Sequence, residues 1–262
     1  MHRSTTCVVL LSLAAGAHGQ SDLLPDIVVS KNNLFDHFIS GNELRLSNGT
    51  ANIGPGKFHL YGGPANGDGT QQDIQRVFKT DGSFTDRPAG NFVFHPSHNH
   101  IHVESWASYR LREILEPNDG VGAIVAEGEK TSFCIIDLGI YDTNVDNYNP
   151  NGEFFSCGST IQGLSVGWVD VYSSGLEGQS IDITGVPEGE YWLESVVDPD
   201  NNFLEADETN NATRIKVNIS GGGTGSIAPD RYEPNDSRRA TAGRTVGAIH
   251  RPHLGPVGPA PP

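Results

Sequence analysis

The chain is poor in cysteine, in basic residues and in long apolar runs. It has three cysteines in 262 residues, and one of them, Cys7, falls in a segment that reads as a cleavable leader. Cys134 and Cys157 remain, too few for a multi-bridge framework. In an oxidising compartment that pair forms either one disulfide, whose loop closure contributes roughly 3 kcal/mol in the chain-entropy model, or two separate buried thiols. The longest apolar run, Val8 to Ala15, is too short to span a bilayer. With Arg3 ahead of it and Ala17-His18-Gly19 behind, it reads as a signal peptide over residues 1–19, which implies a secreted or periplasmic destination. Lys and Arg number 17 against 32 Asp and Glu, a formal charge of −15. The segment from Gly221 carries +2, so removing it and Arg3 leaves −18 on residues 20–220. That balance argues against nucleic acid or an anionic membrane as partner and favours cationic amines or metal ions.

Convincing amphipathic helices and internal repeats are also absent. What is present is Gly, Asn, Asp and Thr between short alternating runs, the pattern of an all-β chain. The expected strands are 26–30, 43–46, 58–61, 74–79, 91–94, a histidine strand running to 111, 131–136, 166–172, 180–184, 191–197 and 213–219. Residues 61–73 and 116–122 read as turns. Residues 20–220 thus fit one β-sandwich-like domain with long loops, followed by a flexible, disordered Gly/Pro-rich tail over 221–262.

Four of the ten histidines fall between His95 and His102. On a strand, His98, His100, His102 and Glu104 share one face. A fully extended strand would hold the outer two histidine Cα atoms roughly 13 Å apart, from a rise of ~3.3 Å per residue. Metal–nitrogen bonds are only ~2.0–2.1 Å, so the rings must lean inward with help from twist or a bulge. Three neutral imidazoles suit Cu(II), Zn or Fe rather than Mg or Ca.

Three motifs in sequence order resemble the lysyl oxidase family. Phe94-His95-Pro96-Ser97-His98-Asn99-His100-Ile101-His102 is similar to the family's Trp-His-Ser-Cys-His-x-His-x-His, which implies His98, His100 and His102 as copper ligands. Gly128-Glu129-Lys130-Thr131-Ser132-Phe133-Cys134 resembles Gly-His-Lys-Ala-Ser-Phe-Cys. Gln162-Gly163-Leu164-Ser165, followed by Asp170-Val171-Tyr172, resembles Gln-Gly-Leu-Ser with its downstream Asp-Thr-Tyr. The resemblance implies that Lys130 and Tyr172 are the parents of a lysine tyrosylquinone cofactor. It extends through Ile181-Asp182-Ile183-Thr184 to Thr209-Asn210-Asn211.

Its implied activity is oxidation of a primary amine, a small amine or a protein lysine side chain, by O2 to an aldehyde with release of H2O2 and ammonia. Asp170 is the candidate general base, with Glu104 and His95 as others. The resemblance also implies a structural calcium site from Glu205, Asp207, Asn210 and Asn211 with Asp22 and the carbonyl of Leu23. An EF-hand is excluded because its glycine and flanking helices are missing.

The sequence departs from the family as well. Ser97 and Trp168 stand where animal members have cysteines, so the animal disulfide network is impossible and Cys134 and Cys157 have only each other. Ser108 replaces a histidine of the animal members. The sequons at Asn48, Asn218 and Asn235 are weak glycosylation candidates, with Asn211 committed to calcium. Two other readings fit parts of the sequence: a non-catalytic metal-binding adhesion or matrix module, and a cupin-type oxygenase using His98, His100 and Glu104. The cupin reading needs a late histidine, and none lies between His102 and His250.

Overall fold

The computed structural model describes residues 21–220; the leader, the tail and Asn235 lie outside the described residues. Among these, the chain opens with β1 Asp22–Leu23, β2 Ile27–Val29, the short helix α1 Lys31–Leu34, β3 His37–Ser40, β4 Glu43–Leu46 and β5 Asn48–Asn52. Long strands follow: β6 Phe58–Ala65, β7 Thr70–Lys79, β8 Phe84–His95, β9 His100–Val103, β10 Ala107–Leu115 and β11 Gly120–Glu127. The rest are β12 Gly139–Ile140, β13 Ile161–Leu164, β14 Trp168–Tyr172, β15 Ser180–Asp182, β16 Gly189–Val197 and β17 Ala212–Ile219.

The all-β expectation is met, with the strands divided among four antiparallel sheets. Their orders are β13-β6-β7-β8-β9 with β1 on β7, β11-β10-β16-β17, β12-β14-β5-β2 and β15-β4-β3. All four feed one core. Phe58 of β6 packs on Trp106 with ring centroids 5.1 Å apart and edge-on to Phe203 at 5.0 Å, and Leu44, Leu193 and Val217 join them from the other sheets. Large aromatics at such a junction stabilise through area and through edge contacts.

Three strand expectations change. The single histidine strand breaks at Glu104-Ser105, where Ser105 takes φ 52°, and resumes as β10 in a different sheet. The break lets Trp106 enter the core at 1% exposure. Residues 131–136 form an isolated bridge, Val103↔Phe133, rather than a ladder. The N–H of Ile135 goes to the Gln162 side chain at 3.0 Å instead. Conversely, residues 61–73 are mostly hairpin: β6 and β7 extend into them, with the turn made by Gly67 and Gly69 at φ 83° and 94°. Asn48 is 2% exposed and accepts the Ser195 hydroxyl, so it is no glycan site as folded, whereas Asn218 is exposed.

Phe203→Ala removes the ring that meets both Phe58 and Trp106. Chemical denaturation is expected to show a loss of about 3–5 kcal/mol.

Candidate metal and quinone site

The histidines meet because the chain turns between them. β8 and β9 pair with His95 opposite His100. The four residues Pro96 to Asn99 form a tight turn, closed by the N–H groups of His98 and Asn99 on the carbonyl of His95 at 3.2 and 2.8 Å. Asn99 sits at φ 53°, a region that asparagine tolerates better than most residues. The turn folds His98 back over the strand, so the separation that a straight strand would impose disappears. His98 Nδ1 lies 3.3 Å from His102 Nε2, and His100 Nε2 lies 2.9 Å from the same atom. Two nitrogens held ~2.0–2.1 Å from one ion sit about 2.9–3.4 Å apart at ordinary bond angles. Each pair has the spacing of two ligands on one ion, but the histidines whose donor atoms all lie within 4.8 Å of one another are His95, His98 and His102, with His100 in reach of His102 alone.

His102 is fully buried, and its Nδ1 lies 3.2 Å from Ser132 Oγ. That contact orients the ring so that Nε2 faces the other histidines. Burial first, then the positive charges of Lys130 and the neighbouring histidines, push His102 down to about 3; His98 and His100 are lowered for similar reasons. All three are therefore neutral, ligand-competent imidazoles at pH 7. His95 joins them, stacked on His98 with centroids 4.3 Å apart and 4.6 Å from His102. Its nitrogen comes within 4.8 Å of those of His98 and His102. The β8–β9 register is what brings it in. Glu104 is not in the group; it accepts the Asn91 amide at 3.1 Å, which removes the carboxylate a cupin-type set requires.

Lys130 and Tyr172 are neighbours. Lys130 Nζ lies 5.6 Å from the Tyr172 ring centroid and 5.3 Å from that of Phe133, which packs edge-on against Tyr172 at 4.9 Å. Tyr172 donates its hydroxyl to the carbonyl of Cys134 at 2.7 Å. Burial lowers the Lys130 ammonium, opposed by Glu177, and burial raises the Tyr172 phenol, with Asp170 adding in the same direction. Lys130, His95 and His98 line one cavity of about 270 Å³ with Glu129, Thr131, Ser132, Glu177 and Gly178. Glu177, an exposed acid five residues after Tyr172, was missed from sequence; its carboxylate reaches 3.9 Å from His98 Nε2. Asp170 is buried without a side-chain hydrogen-bond partner for either oxygen, and desolvation holds its carboxyl well above the usual range. It does not line the cavity. Cys134 and Cys157 are bonded to each other, with Cα atoms 5.4 Å apart.

The acidic turn after Phe203 also gathers ligand-type oxygens, with one correction. Asp22 is exposed, 3.7 Å from Lys79, and the Leu23 carbonyl lies against Gly56. Asp26 is the acid of the N-terminal segment that meets the turn: it accepts the Asn210 amide at 2.8 Å, and Asp207 acts on it electrostatically. The Pro25 carbonyl accepts the Ala206 N–H, and Glu205 accepts the Ile27 N–H at 2.5 Å and the Asn211 amide at 3.0 Å. The amide oxygens of Asn210 and Asn211 are buried and unpartnered, as cation ligands would be. Asp198 and Glu208 also approach Glu205.

A sequence model of the lysyl oxidase family matches residues 75–226. The chain belongs to the lysyl oxidase family. It is 35% identical over 136 residues to human lysyl oxidase homolog 1, covering 52% of this chain and 22% of that protein. To human protein-lysine 6-oxidase it is 35% identical over 136 residues, covering 52% and 30%. To mouse lysyl oxidase homolog 3 it is 36% identical over 131 residues, covering 50% and 16%. The chain therefore spans under a third of the length of these lysyl oxidase relatives.

Ser132→Ala frees the His102 ring. Titration calorimetry is expected to show Cu(II) affinity falling about 10- to 100-fold. Burial, chiefly, raises Glu205 to about 8. Without calcium the folded state therefore binds more protons than the unfolded state between the ordinary glutamate value and that point, and stability must fall as pH rises through this window. Melting in EDTA is expected to show that fall, and Glu205→Gln to flatten it. Added Ca(II) is expected to restore stability most at the alkaline end.

Proposed function

We propose that this chain is a secreted copper-dependent amine oxidase, converting a primary amine, O2 and water into an aldehyde, ammonia and H2O2. The observation that carries the reading is the approach of Lys130 Nζ to the Tyr172 ring beside the converged histidines. His98, His100 and His102 would hold Cu(II). Bound copper with O2 would supply the oxidising power to form lysine tyrosylquinone from Tyr172 and Lys130, and that cofactor would supply the two-electron oxidation of the amine.

The chain's own residues have definable tasks. Burial lowers the Lys130 ammonium, which favours the neutral form whose nitrogen lone pair can bond to carbon. The Cys134 carbonyl fixes the Tyr172 hydroxyl and hence the ring plane. Asp170, two residues before Tyr172 on β14, is the candidate base for the α-proton of the substrate; it is buried outside the cavity that Lys130 lines, so it acts only if substrate binding opens a path to it. The carboxylates of Glu129 and Glu177 line the cavity and attract an ammonium substrate, in keeping with the acidic body. The turn around Glu205 would hold a structural Ca(II) through Asp26, Glu205, Asp207, Asn210 and Asn211, pinning the first strands to the last hairpin. No helix among the described residues is long and apolar enough to cross a membrane.

Copper-loaded protein is expected to release H2O2 in proportion to added primary amine, and Lys130→Ala and Tyr172→Phe to abolish the release while still binding copper. Copper binding without amine-dependent H2O2 would instead favour the non-catalytic metal-binding module.

A further inference from the structure

We propose that Gln162 is a positioning residue that fixes the histidine hairpin against the segment bearing Lys130 and the Tyr172 hydrogen-bond acceptor. This rests on the amine-oxidase reading. Gln162 is fully buried, and three contacts use its amide. Oε1 accepts the Ile135 N–H at 3.0 Å, while Nε2 donates to the Ile101 carbonyl at 3.0 Å and the Gly158 carbonyl at 3.1 Å. The amide orientation is unambiguous, because a backbone N–H can only donate and a carbonyl can only accept.

Each contact reaches a different part of the site. Ile101 stands between His100 and His102. Ile135 follows Cys134, whose carbonyl takes the Tyr172 hydroxyl. Gly158 follows Cys157, which is bonded to Cys134 and whose carbonyl accepts the Ile101 N–H at 3.1 Å. The disulfide and the Gln162 amide therefore close one ring: Ile101, Cys157, Cys134, Ile135, Gln162 and back to Ile101. Backbone pairing supports it, since Gly163 N–H donates to the Ile135 carbonyl at 3.1 Å. A Cβ at Gly163 would collide with the Phe58 carbonyl, so the glycine lets the strand carrying Gln162 sit this close to β6.

The ring divides two tasks. All three metal-binding histidines come from one hairpin, which closes on its own hydrogen bonds, so metal capture does not require Gln162. The distance from that hairpin to Lys130 and Tyr172 is set by Gln162 together with the Val103–Phe133 backbone bridge, which holds the far end of β9 but not the Ile101 turn end. A displacement of about 1 Å between reacting groups can cost on the order of 100-fold in rate.

The test compares wild type with Gln162→Met, which keeps the volume and loses all three bonds, and Gln162→Glu, which keeps an acceptor for Ile135 but even when protonated donates to only one of the Ile101 and Gly158 carbonyls. Hydrogen exchange at the Ile135 N–H is measured on apoprotein. Copper stoichiometry and the Lys130–Tyr172 crosslinked fraction, by peptide mass mapping, are then followed in air. Gln162→Met is expected to lose Ile135 protection, bind copper as wild type does, and crosslink about 100-fold more slowly. Gln162→Glu is expected to keep Ile135 protection and still crosslink slowly. Wild-type crosslinking in either folded variant overturns the proposal. So does loss of copper binding or of cooperative unfolding in both, which would mark the residue as merely structural. Copper-loaded wild type that never crosslinks overturns the amine-oxidase reading itself, and this inference with it.

Discussion

The site depends on a four-residue turn. Without Pro96 to Asn99 folding back, alternate histidines on a strand would keep their ring nitrogens too widely spread for one ion. With the turn, His98 and His100 both reach His102 Nε2. The β8–β9 register sets the turn, Ser132 Oγ holds the Nδ1 side of the His102 ring, and the Val103–Phe133 bridge brings the Lys130 segment alongside. The spacing of the histidines and the approach of Lys130 thus follow from the same local backbone, and the other sheets act mainly to keep it in place through the core around Phe58, Trp106 and Phe203.

Burial has opposite effects at the two ends of the domain. Around the histidines it favours the neutral form of basic groups: it pushes His102 down to about 3 and lowers the Lys130 ammonium. Around Glu205 it drives protons onto carboxylates that lack a counter-charge, with Asp26 and Asp198 raised as well. A divalent cation would relieve the second strain directly, which is why the acidic turn and the unpartnered oxygens of Asn210 and Asn211 belong to one physical explanation. Glu129 and Glu177 make the lining of the Lys130 cavity acidic, in keeping with the net acidity of the body.

Much of the chemistry was legible in the sequence because it is local. The histidine cluster, the Lys130 segment and the Gln162-to-Tyr172 stretch each carry their residues within a few positions, and the all-β class follows from turn-rich alternation. What was not legible is set by long-range pairing. Asp22-Leu23 and Asp26-Ile27 are both an acid before an apolar residue, four positions apart. Only the ladder of Asp22 on Lys79 and the bond from Ala206 to Pro25 decide which meets the acidic turn. His95 enters the cluster by hairpin register. The extended reading of 131–136 failed because the Ile135 N–H is taken by a side chain far along the sequence. Glu177 belongs to a loop whose approach to His98 has no local signal.

The most direct measurement is nuclear magnetic resonance of apoprotein carrying labelled histidine and tyrosine rings, titrated with Cu(II) under argon so that no oxidation follows. Seven tyrosines report at once. The expected result is one bound ion, broadened histidine-strand signals, and the Tyr172 ring losing intensity before the other tyrosines. A bound ion that leaves the Tyr172 ring sharp would place the metal away from the Lys130–Tyr172 pair, and would contradict a single centre built from the two.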